Sequence, residues 1–180
     1  MRTFFPAFLW VLGFCAVAAD FEPVPAPAWT AEASDGTTVE FPGEADRPRI
    51  LLFWATWCPY CKKLMPHLQS IVDEYGDAIS VISVSVFEED DGDPAGDLED
   101  FGYQFGLIKQ GESIAEQYGV KGTPGLFLVD EQGMIRWHLG LAMQDEARMA
   151  GLSKHWERAS RRAPFWAAEL RKALDIVLAH

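Results

Sequence analysis

The stretch Phe53-Trp-Ala-Thr-Trp-Cys58-Pro-Tyr-Cys61-Lys-Lys63 places two cysteines on either side of a Pro-Tyr dipeptide. It begins within an apolar run over residues 49–54, whose length and composition predict a strand covered on both faces. It continues into residues 59–75, where apolar side chains recur at spacings of three and four and predict a helix. The cysteine pair therefore lies where a buried strand gives way to a helix.

The position of the pair indicates its chemistry. A cysteine at the start of a helix meets unpaired backbone N–H groups and the positive end of the helix dipole. Both favour the thiolate, which is the nucleophilic form of cysteine. We therefore predict that Cys58 attacks a substrate disulfide and that Cys61, one turn further in and less exposed, resolves the mixed disulfide.

Two other interpretations of the pair are a structural disulfide and half of a zinc site. A disulfide across two residues closes too short a loop to add much stability. Zinc requires further Cys or His ligands at matching spacing, and His67, His138, His155 and His180 show no paired spacing. Redox chemistry is favoured over both, and neither a metal nor a cofactor is predicted.

Residues 1–19 differ in character from the rest of the chain. Arg2 is their only charge, residues 4–17 are apolar and aromatic, and the segment ends on small residues. This pattern predicts a cleaved signal peptide, with a buried first helix and an uncleaved anchor as alternatives. Cleavage removes Cys15 and leaves a single cysteine pair. We therefore expect a periplasmic or otherwise extracytoplasmic protein with no stable membrane insertion after cleavage.

Length and charge exclude several classes of protein. A chain of 180 residues is long enough for one domain of ordinary size. Its 27 acidic and 15 basic residues give a formal net charge of −12. Such a chain has no general attraction for phosphate backbones or for anionic membrane surfaces. Nucleic acid is therefore not an expected partner.

The rest of the chain predicts an alternating α/β order. Residues 20–36 are rich in Pro and Ala and predict an extended N-terminal arm. The remaining predicted elements are strands over residues 37–41, 78–87, 126–129 and 134–138, a short helix over 113–118, a kink at Pro66, and one or two helices over 144–180.

Two segments carry distinctive side chains. Residues 88–100 are strongly acidic and predict a solvated loop that runs into a helix starting near Asp97. The more specific alternatives for these residues are a docking surface for a basic partner and a weak cation site.

Near the C-terminus an apolar face recurs at helical spacing and predicts core packing rather than a binding surface. It consists of Trp166, Leu170, Leu174 and Val177.

With these motifs in place, the chain resembles the thioredoxin superfamily and its exported TlpA/ResA-like branch. The resemblance rests on the strand-Trp-Cys-x-x-Cys-helix segment, on residues 118–124 (Tyr-Gly-Val-Lys-Gly-Thr-Pro) and on the hairpin of residues 126–133. It implies a thioredoxin-like fold, with a central mixed β-sheet flanked by helices. It covers about residues 28–140, within a predicted domain over residues 20–140. The predicted helical extension over 141–180, packed on that domain, is longer than the single closing helix usual in the family.

The resemblance implies a further part of the site, and the chain also departs from the family's pattern at three places near the cysteines. It implies that the Thr123–Pro124 peptide is cis and exposes the backbone of Thr123 as a pairing edge for substrate. Cytoplasmic thioredoxins have a buried Asp at the position of Leu52, and ResA-like proteins have a Glu at that of Leu64. Either carboxylate would help take the proton from the resolving thiol, so that role is unassigned here. The dipeptide between the cysteines differs from that of typical reductases and leaves the direction of electron flow open.

The predicted function is that of an exported thiol–disulfide oxidoreductase. We expect it to reduce protein disulfides through a mixed disulfide and to receive electrons from a membrane donor. The alternatives are a disulfide oxidase or isomerase, a metal-delivery protein of the copper-chaperone kind, and a non-catalytic assembly module. The expected substrate contact surface is a mostly apolar rim around one reactive sulfur. For Trp57, the alternative is a buried position as an aromatic residue of the core. The rim comprises Trp57, Pro59, Tyr60, Thr123 and Pro124.

Overall fold

The structure, a computed structural model, describes residues 21–150 and 159–179, and the side chains of these residues apart from 145–150. The predicted signal peptide over residues 1–19 lies outside the described part of the chain. The elements, in chain order, are β1 (Val24–Pro25), β2 (Trp29–Glu32), β3 (Thr38–Phe41), β4 (Arg49–Trp54), α1 (Pro59–Tyr75), a 3₁₀ turn (Gly76–Ala78), β5 (Ser80–Ser85), α2 (Pro94–Asp100), β6 (Gly106–Ile108), α3 (Glu112–Gln117), β7 (Gly125–Val129), β8 (Met134–His138), α4 (Leu139–Ala150) and α5 (Ala159–Leu178).

Six of these strands form one mixed sheet in the order β1-β8-β7-β4-β5-β6. Strand β4 pairs in parallel with β5 and antiparallel with β7, and β5 pairs in parallel with β6. Strands β2 and β3 form a separate antiparallel hairpin. The predicted mixed sheet flanked by helices is thus confirmed, and β4 is one of its two central strands.

All six residues of β4 are buried, and they face two different layers. Leu52 and Trp54 belong to a core shared with α1 and α5. Leu51 and Phe53 point the other way, into a core shared with α3 and the β2–β3 hairpin. Because both faces of the strand are covered, every position favours an apolar side chain. The continuous apolar run is therefore explained.

Helix α5 is part of the main core and lies alongside α1. Trp166, Leu170 and Leu174 are buried there, and Val177 is partly buried against them, which confirms the predicted packing face. Contacts between them show that the two helices run in parallel: the centroid of the Tyr60 ring lies 6.1 Å from that of Trp166, and further along both helices Arg171 Nε donates to Glu74 Oε2 at 2.7 Å. At the C-terminal end of both helices, the Tyr75 hydroxyl donates to Asp175 Oδ1 at 2.6 Å.

The N-terminal segment is held by strand pairing, whereas the sequence predicts only an extended arm. Val24 and Pro25 in β1 pair with residues of β8 at the edge of the main sheet. Strand β2 is held by β3. The segment is extended, as its proline content predicts, but two of its stretches are paired with other strands.

Several element boundaries differ from the sequence prediction. Helix α2 starts at Pro94 rather than near Asp97, because the Asp93 side chain caps it by accepting a hydrogen bond from Gly96 N at 3.1 Å. The strand predicted over residues 78–87 is confined to Ser80–Ser85, since Gly76–Ala78 forms a 3₁₀ turn. Helix α1, in contrast, has the predicted bounds and continues through Pro66.

Two elements at the periphery differ more. Helix α4 begins at Leu139, directly after β8, and not at residue 144. Strand β6, three residues long, was not predicted from the sequence. Within the described residues, no helix combines the length and hydrophobicity that a bilayer-spanning segment requires.

The packing of α5 predicts how two substitutions on one helix should differ. Leu170 is fully buried, so Leu170→Ala should lower the free energy of unfolding by about 3 kcal/mol through lost transfer energy and an unfilled cavity. Ile176, on the same helix, is 59% exposed, and Ile176→Ala should change it by less than about 0.5 kcal/mol. Urea unfolding at one fixed redox state measures both. Equal effects would mean that α5 is not part of the cooperative core.

Candidate redox site

The two thiols lie at the junction of β4 and α1, as the sequence predicts. Cys58 is the N-cap residue of α1, with an extended backbone at φ −76° and ψ 112°. Its Sγ accepts a hydrogen bond from the Cys61 backbone N–H at 3.2 Å. A sulfur thus occupies the place that Ser, Thr, Asp or Asn usually takes at a helix start. Both thiols are free in the structure.

The exposure of Cys58 differs from the expectation. Cys58 is 2% exposed and Cys61 is fully buried, so the order of exposure is as predicted, but the first cysteine does not stand clear of the surface. Neighbouring loops close around its side chain and leave only a small part of the residue accessible. A substrate disulfide must therefore approach along a defined direction.

The two thiols have opposite acid–base properties. Hydrogen bonding by the Cys61 thiol is the main cause that lowers the pKa of Cys58 from 9.0 to about 6, and the Cys61 backbone N–H adds to it. Burial raises the pKa of Cys61, and its hydrogen bond to the Cys58 side chain raises it further. Near neutral pH the pair therefore holds one thiolate, on Cys58, and one thiol, on Cys61.

The loop before β7 approaches the first sulfur. The Thr123–Pro124 peptide is cis, as the resemblance implies. The Cys58 thiol lies 3.5 Å from the carbonyl oxygen of Thr123, to which its S–H donates when protonated. Thr123 is half-buried and Pro124 is buried. The backbone of Thr123 thus borders the sulfur directly, and Pro124 lies beneath the surface.

The structure divides the remaining residues of the predicted rim. Trp57 is 47% exposed, so it is not a core aromatic, and Pro59 is exposed as well. Tyr60 is half-buried and packs towards α5, with its ring centroid 6.1 Å from that of Trp166. Trp57 and Pro59 are therefore the residues of the rim that present most surface to a partner.

One rim residue was missed. The indole N–H of Trp57 donates to the carbonyl oxygen of Phe87 at 2.7 Å, and the Phe87 side chain is itself 39% exposed. Phe87 has a positive φ of 58°, which is uncommon for a bulky residue. Its backbone N–H donates to Glu112 Oε1 at 2.8 Å. Phe87 therefore extends the apolar rim next to Trp57.

Glu88 corrects the description of residues 88–100 as a solvated acidic loop. Its side chain turns inward and accepts hydrogen bonds from Thr56 and Ser85. The signal that could have found it is its position: Glu88 follows β5 in the sequence, next to the end of the parallel strand β4, where polar groups of α/β sheets converge. Among the described residues, no group of three or more His, Cys, Asp or Glu side chains is arranged to hold a metal ion.

The two positions where related proteins carry an acid are filled by buried leucines. Leu52 and Leu64 are both fully buried in the core around α1. Neither offers a group that could take the proton of Cys61. The site therefore consists of an asymmetric thiol pair without a carboxylate at either of these positions.

Comparison with known proteins places these features in a family context. The model of the AhpC/TSA family matches residues 24–138. The thioredoxin-like protein YneN of Bacillus subtilis (strain 168) is 25% identical over 124 residues, which cover 67% of this chain and 73% of YneN. The thiol-disulfide oxidoreductase ResA of Bacillus thuringiensis (strain Al Hakam) is 29% identical over 115 residues, which cover 61% of this chain and 64% of ResA. The match thus spans slightly less than two thirds of the length of ResA.

A solved structure shows the same fold over most of the chain. It is that of a thiol:disulfide interchange protein of the thioredoxin family from Chlorobium tepidum TLS, with a TM-score of 0.62 at 17% identity. The superposition covers 89% of this chain and 99% of that one. The thioredoxin-like fold is therefore confirmed.

The asymmetry of the thiols predicts selective alkylation. Iodoacetamide should modify Cys58 of the reduced protein with a rate that rises with pH and is half-maximal near its pKa of about 6, because only the thiolate reacts. Cys61 should be largely spared. Mass spectrometry of peptides after timed labelling measures both.

Cys58→Ser is the matched control for that experiment. The single remaining thiol, Cys61, should label slowly in the folded protein and rapidly after denaturation. Equal labelling of the two cysteines, or preference for Cys61, would contradict the assignment of nucleophile and resolving thiol.

Proposed function

Because this chain belongs to the AhpC/TSA family and has the thioredoxin-like fold, we propose that it is an extracytoplasmic thiol–disulfide oxidoreductase that reduces disulfides of protein substrates. The observation that carries the proposal is the asymmetry of the thiol pair. Cys58 has a pKa lowered to about 6 at the start of α1, and Cys61 is a buried thiol one turn away. The name of the relative ResA, a thiol-disulfide oxidoreductase, supports the same class of activity.

The reaction proceeds in two exchanges. The Cys58 thiolate attacks one sulfur of the substrate disulfide and forms a mixed disulfide, while the other substrate sulfur leaves as a thiolate and takes up a proton. Cys61 then loses its proton and attacks Cys58 Sγ, which releases the second substrate sulfur as a thiol. The substrate gains two electrons and two protons, and the protein is left with a Cys58–Cys61 disulfide.

The surroundings of Cys58 suit each exchange. The backbone of Thr123, beside the sulfur, offers polar groups to a substrate segment that lies across it. Trp57 and Phe87 provide exposed apolar surface next to it. Burial and the neighbouring Cys58 side chain raise the pKa of Cys61, so Cys61 stays a thiol while Cys58 attacks the substrate. Once Cys58 is part of the mixed disulfide its thiolate no longer raises the pKa of Cys61, which favours the second exchange.

Regeneration of the dithiol requires an outside donor of two electrons. We propose that a membrane protein with its own dithiol fills this role, because the predicted signal peptide over residues 1–19 directs the protein away from the cytosolic reductants. The proposed mature chain comprises the domain over residues 20–140 and the helical extension over 141–180. The exported location rests on the sequence pattern.

A disulfide oxidase is the second candidate, and one observation favours it. The lowered pKa of Cys58 stabilises the reduced pair, and such stabilisation makes the disulfide form a stronger oxidant. The reduction potential separates the two directions. A value near about −270 mV indicates a reductase, whereas one near about −120 mV indicates an oxidant.

Substrate trapping tests the proposed exchange. Cys61→Ser should accumulate mixed disulfides with partner proteins through Cys58, because the resolving thiol is gone. Wild-type protein should reduce insulin disulfides, and each single variant should do so at least about a hundredfold more slowly, since each exchange requires its own sulfur. Non-reducing gels and insulin turbidity are the two measurements.

The control is Cys58→Ser, which keeps the second thiol and should trap nothing. If Cys61→Ser forms no mixed disulfide in an extracytoplasmic extract, and Cys58→Ser behaves identically, the dithiol-exchange mechanism is wrong.

A further inference from the structure

The carboxylate of Glu88 joins the ends of two neighbouring parallel strands, β4 and β5. Its Oε2 accepts a hydrogen bond from the Thr56 hydroxyl at 2.6 Å, and the Thr56 backbone N–H lies 3.1 Å from both carboxylate oxygens. The Ser85 hydroxyl donates to Oε1 at 2.8 Å. Ser85 is the last residue of β5, and Thr56 follows β4 by two positions. Three donors from two chain segments therefore converge on one side chain.

The segment that Glu88 holds is the one that carries the nucleophile. Thr56 lies two residues before Cys58, in the short loop between β4 and α1. The same loop is held a second time, because Trp57 donates its indole N–H to the carbonyl oxygen of Phe87. Residues 87 and 88 thus hold residues 57 and 56 respectively, and both contacts set the direction in which the loop enters α1.

Gly92 shows that the chain is built closely around this contact. A Cβ atom at Gly92 would lie 2.6 Å from Glu88 Oε2 and 2.9 Å from Thr56 Oγ1. Such distances are well inside van der Waals contact, so a side chain at residue 92 would displace the Glu88 carboxylate or the Thr56 hydroxyl. The acidic loop therefore covers the Glu88–Thr56 hydrogen bond from outside.

We propose that Glu88 is a positioning residue for the thiol chemistry: its hydrogen bonds to Thr56 fix the loop that aims Cys58 at the substrate. The inference rests on the proposed function and assigns to it a residue outside the cysteine motif. Glu88 acts through Thr56 and has no contact with the reacting sulfur in this assignment. Charge-assisted hydrogen bonds of this kind are about twice as strong as neutral ones. They therefore suit a contact that fixes the position of the loop before Cys58.

The charge of Glu88 would have a different effect from its hydrogen bonds. A nearby negative charge disfavours a second one, so a purely electrostatic role would oppose the Cys58 thiolate. Loss of positioning instead weakens the alignment of Cys58 Sγ with the Cys61 N–H. Substitutions that remove the charge but keep an acceptor therefore separate the two effects.

Four variants form the experiment. Glu88→Ala removes both charge and acceptor, and Glu88→Gln keeps an oxygen for Thr56. Gly92→Ala leaves the chemistry of Glu88 intact but pushes its carboxylate away from Thr56. The control is Glu89→Ala, which removes the neighbouring exposed carboxylate. For each reduced, folded variant, the rate of Cys58 alkylation is measured across pH, which gives a midpoint and a plateau, together with kcat and KM for insulin reduction.

The expected result has a definite pattern. Glu88→Ala and Gly92→Ala should raise the alkylation midpoint and lower kcat/KM about tenfold, the change that loss of one charge-assisted hydrogen bond corresponds to. Glu88→Gln should keep an alkylation midpoint and a kcat/KM close to those of the wild-type protein, and Glu89→Ala should leave both unchanged. The effect should lie mainly in kcat, because the substrate rim is left in place.

Three results would overturn the assignment: a wild-type profile for Glu88→Ala, equal losses in Glu88→Gln and Glu88→Ala, or the same loss in Glu89→Ala. If Glu88→Ala fails to fold, Thr56→Val removes only the hydroxyl and should reproduce the shift of the midpoint in part; an unchanged midpoint there counts against the proposal. Alkylation needs no substrate turnover. A shifted midpoint in a protein that does not reduce insulin would therefore support the role of Glu88 and reject the proposed activity.

Discussion

A single hydrogen bond at the start of α1 underlies both the fold and the chemistry of this site. Every α-helix begins with backbone N–H groups that lack partners within the helix. Here the partner of the Cys61 N–H is the sulfur of Cys58. The atom that completes the helix is thus the atom that reacts, and a change in its protonation changes the cap. Structural and chemical demands on this residue cannot be separated.

The layers around α1 explain why the second thiol is so different from the first. The helix lies between the sheet and α5, so the side that carries Cys61 is enclosed by core residues. Burial at that point raises the pKa of the thiol, whereas Cys58, one turn earlier, is reached by donors from α1 and by the loop of Thr123. Two identical side chains three positions apart thereby acquire opposite roles.

The sequence predicted best what depends on neighbours along the chain. The bounds of β4 and α1 follow from an apolar run and a helical period, and both agree with the structure. Strand β6 escaped prediction because three residues are too few to show a period. The inward turn of Glu88 also escaped it, since it follows a positive φ at Phe87 that is held from both sides by distant residues, Trp57 and Glu112. The acidic composition of the run gives no sign that its first member points inward, and only the position of Glu88 after β5 could have indicated it.

The place of α5 in chain order has a consequence for how the protein is made. Synthesis proceeds from the N-terminus, and α5 follows every other element of this fold. Until α5 has emerged, α1 lacks the cover of Trp166, Leu170 and Leu174, and the Tyr60 ring between the two cysteines lacks its aromatic neighbour. The nascent chain therefore displays its dithiol on an unfinished core. The thiols therefore acquire their contrasting reactivity only after α5 has been synthesised and has packed against α1.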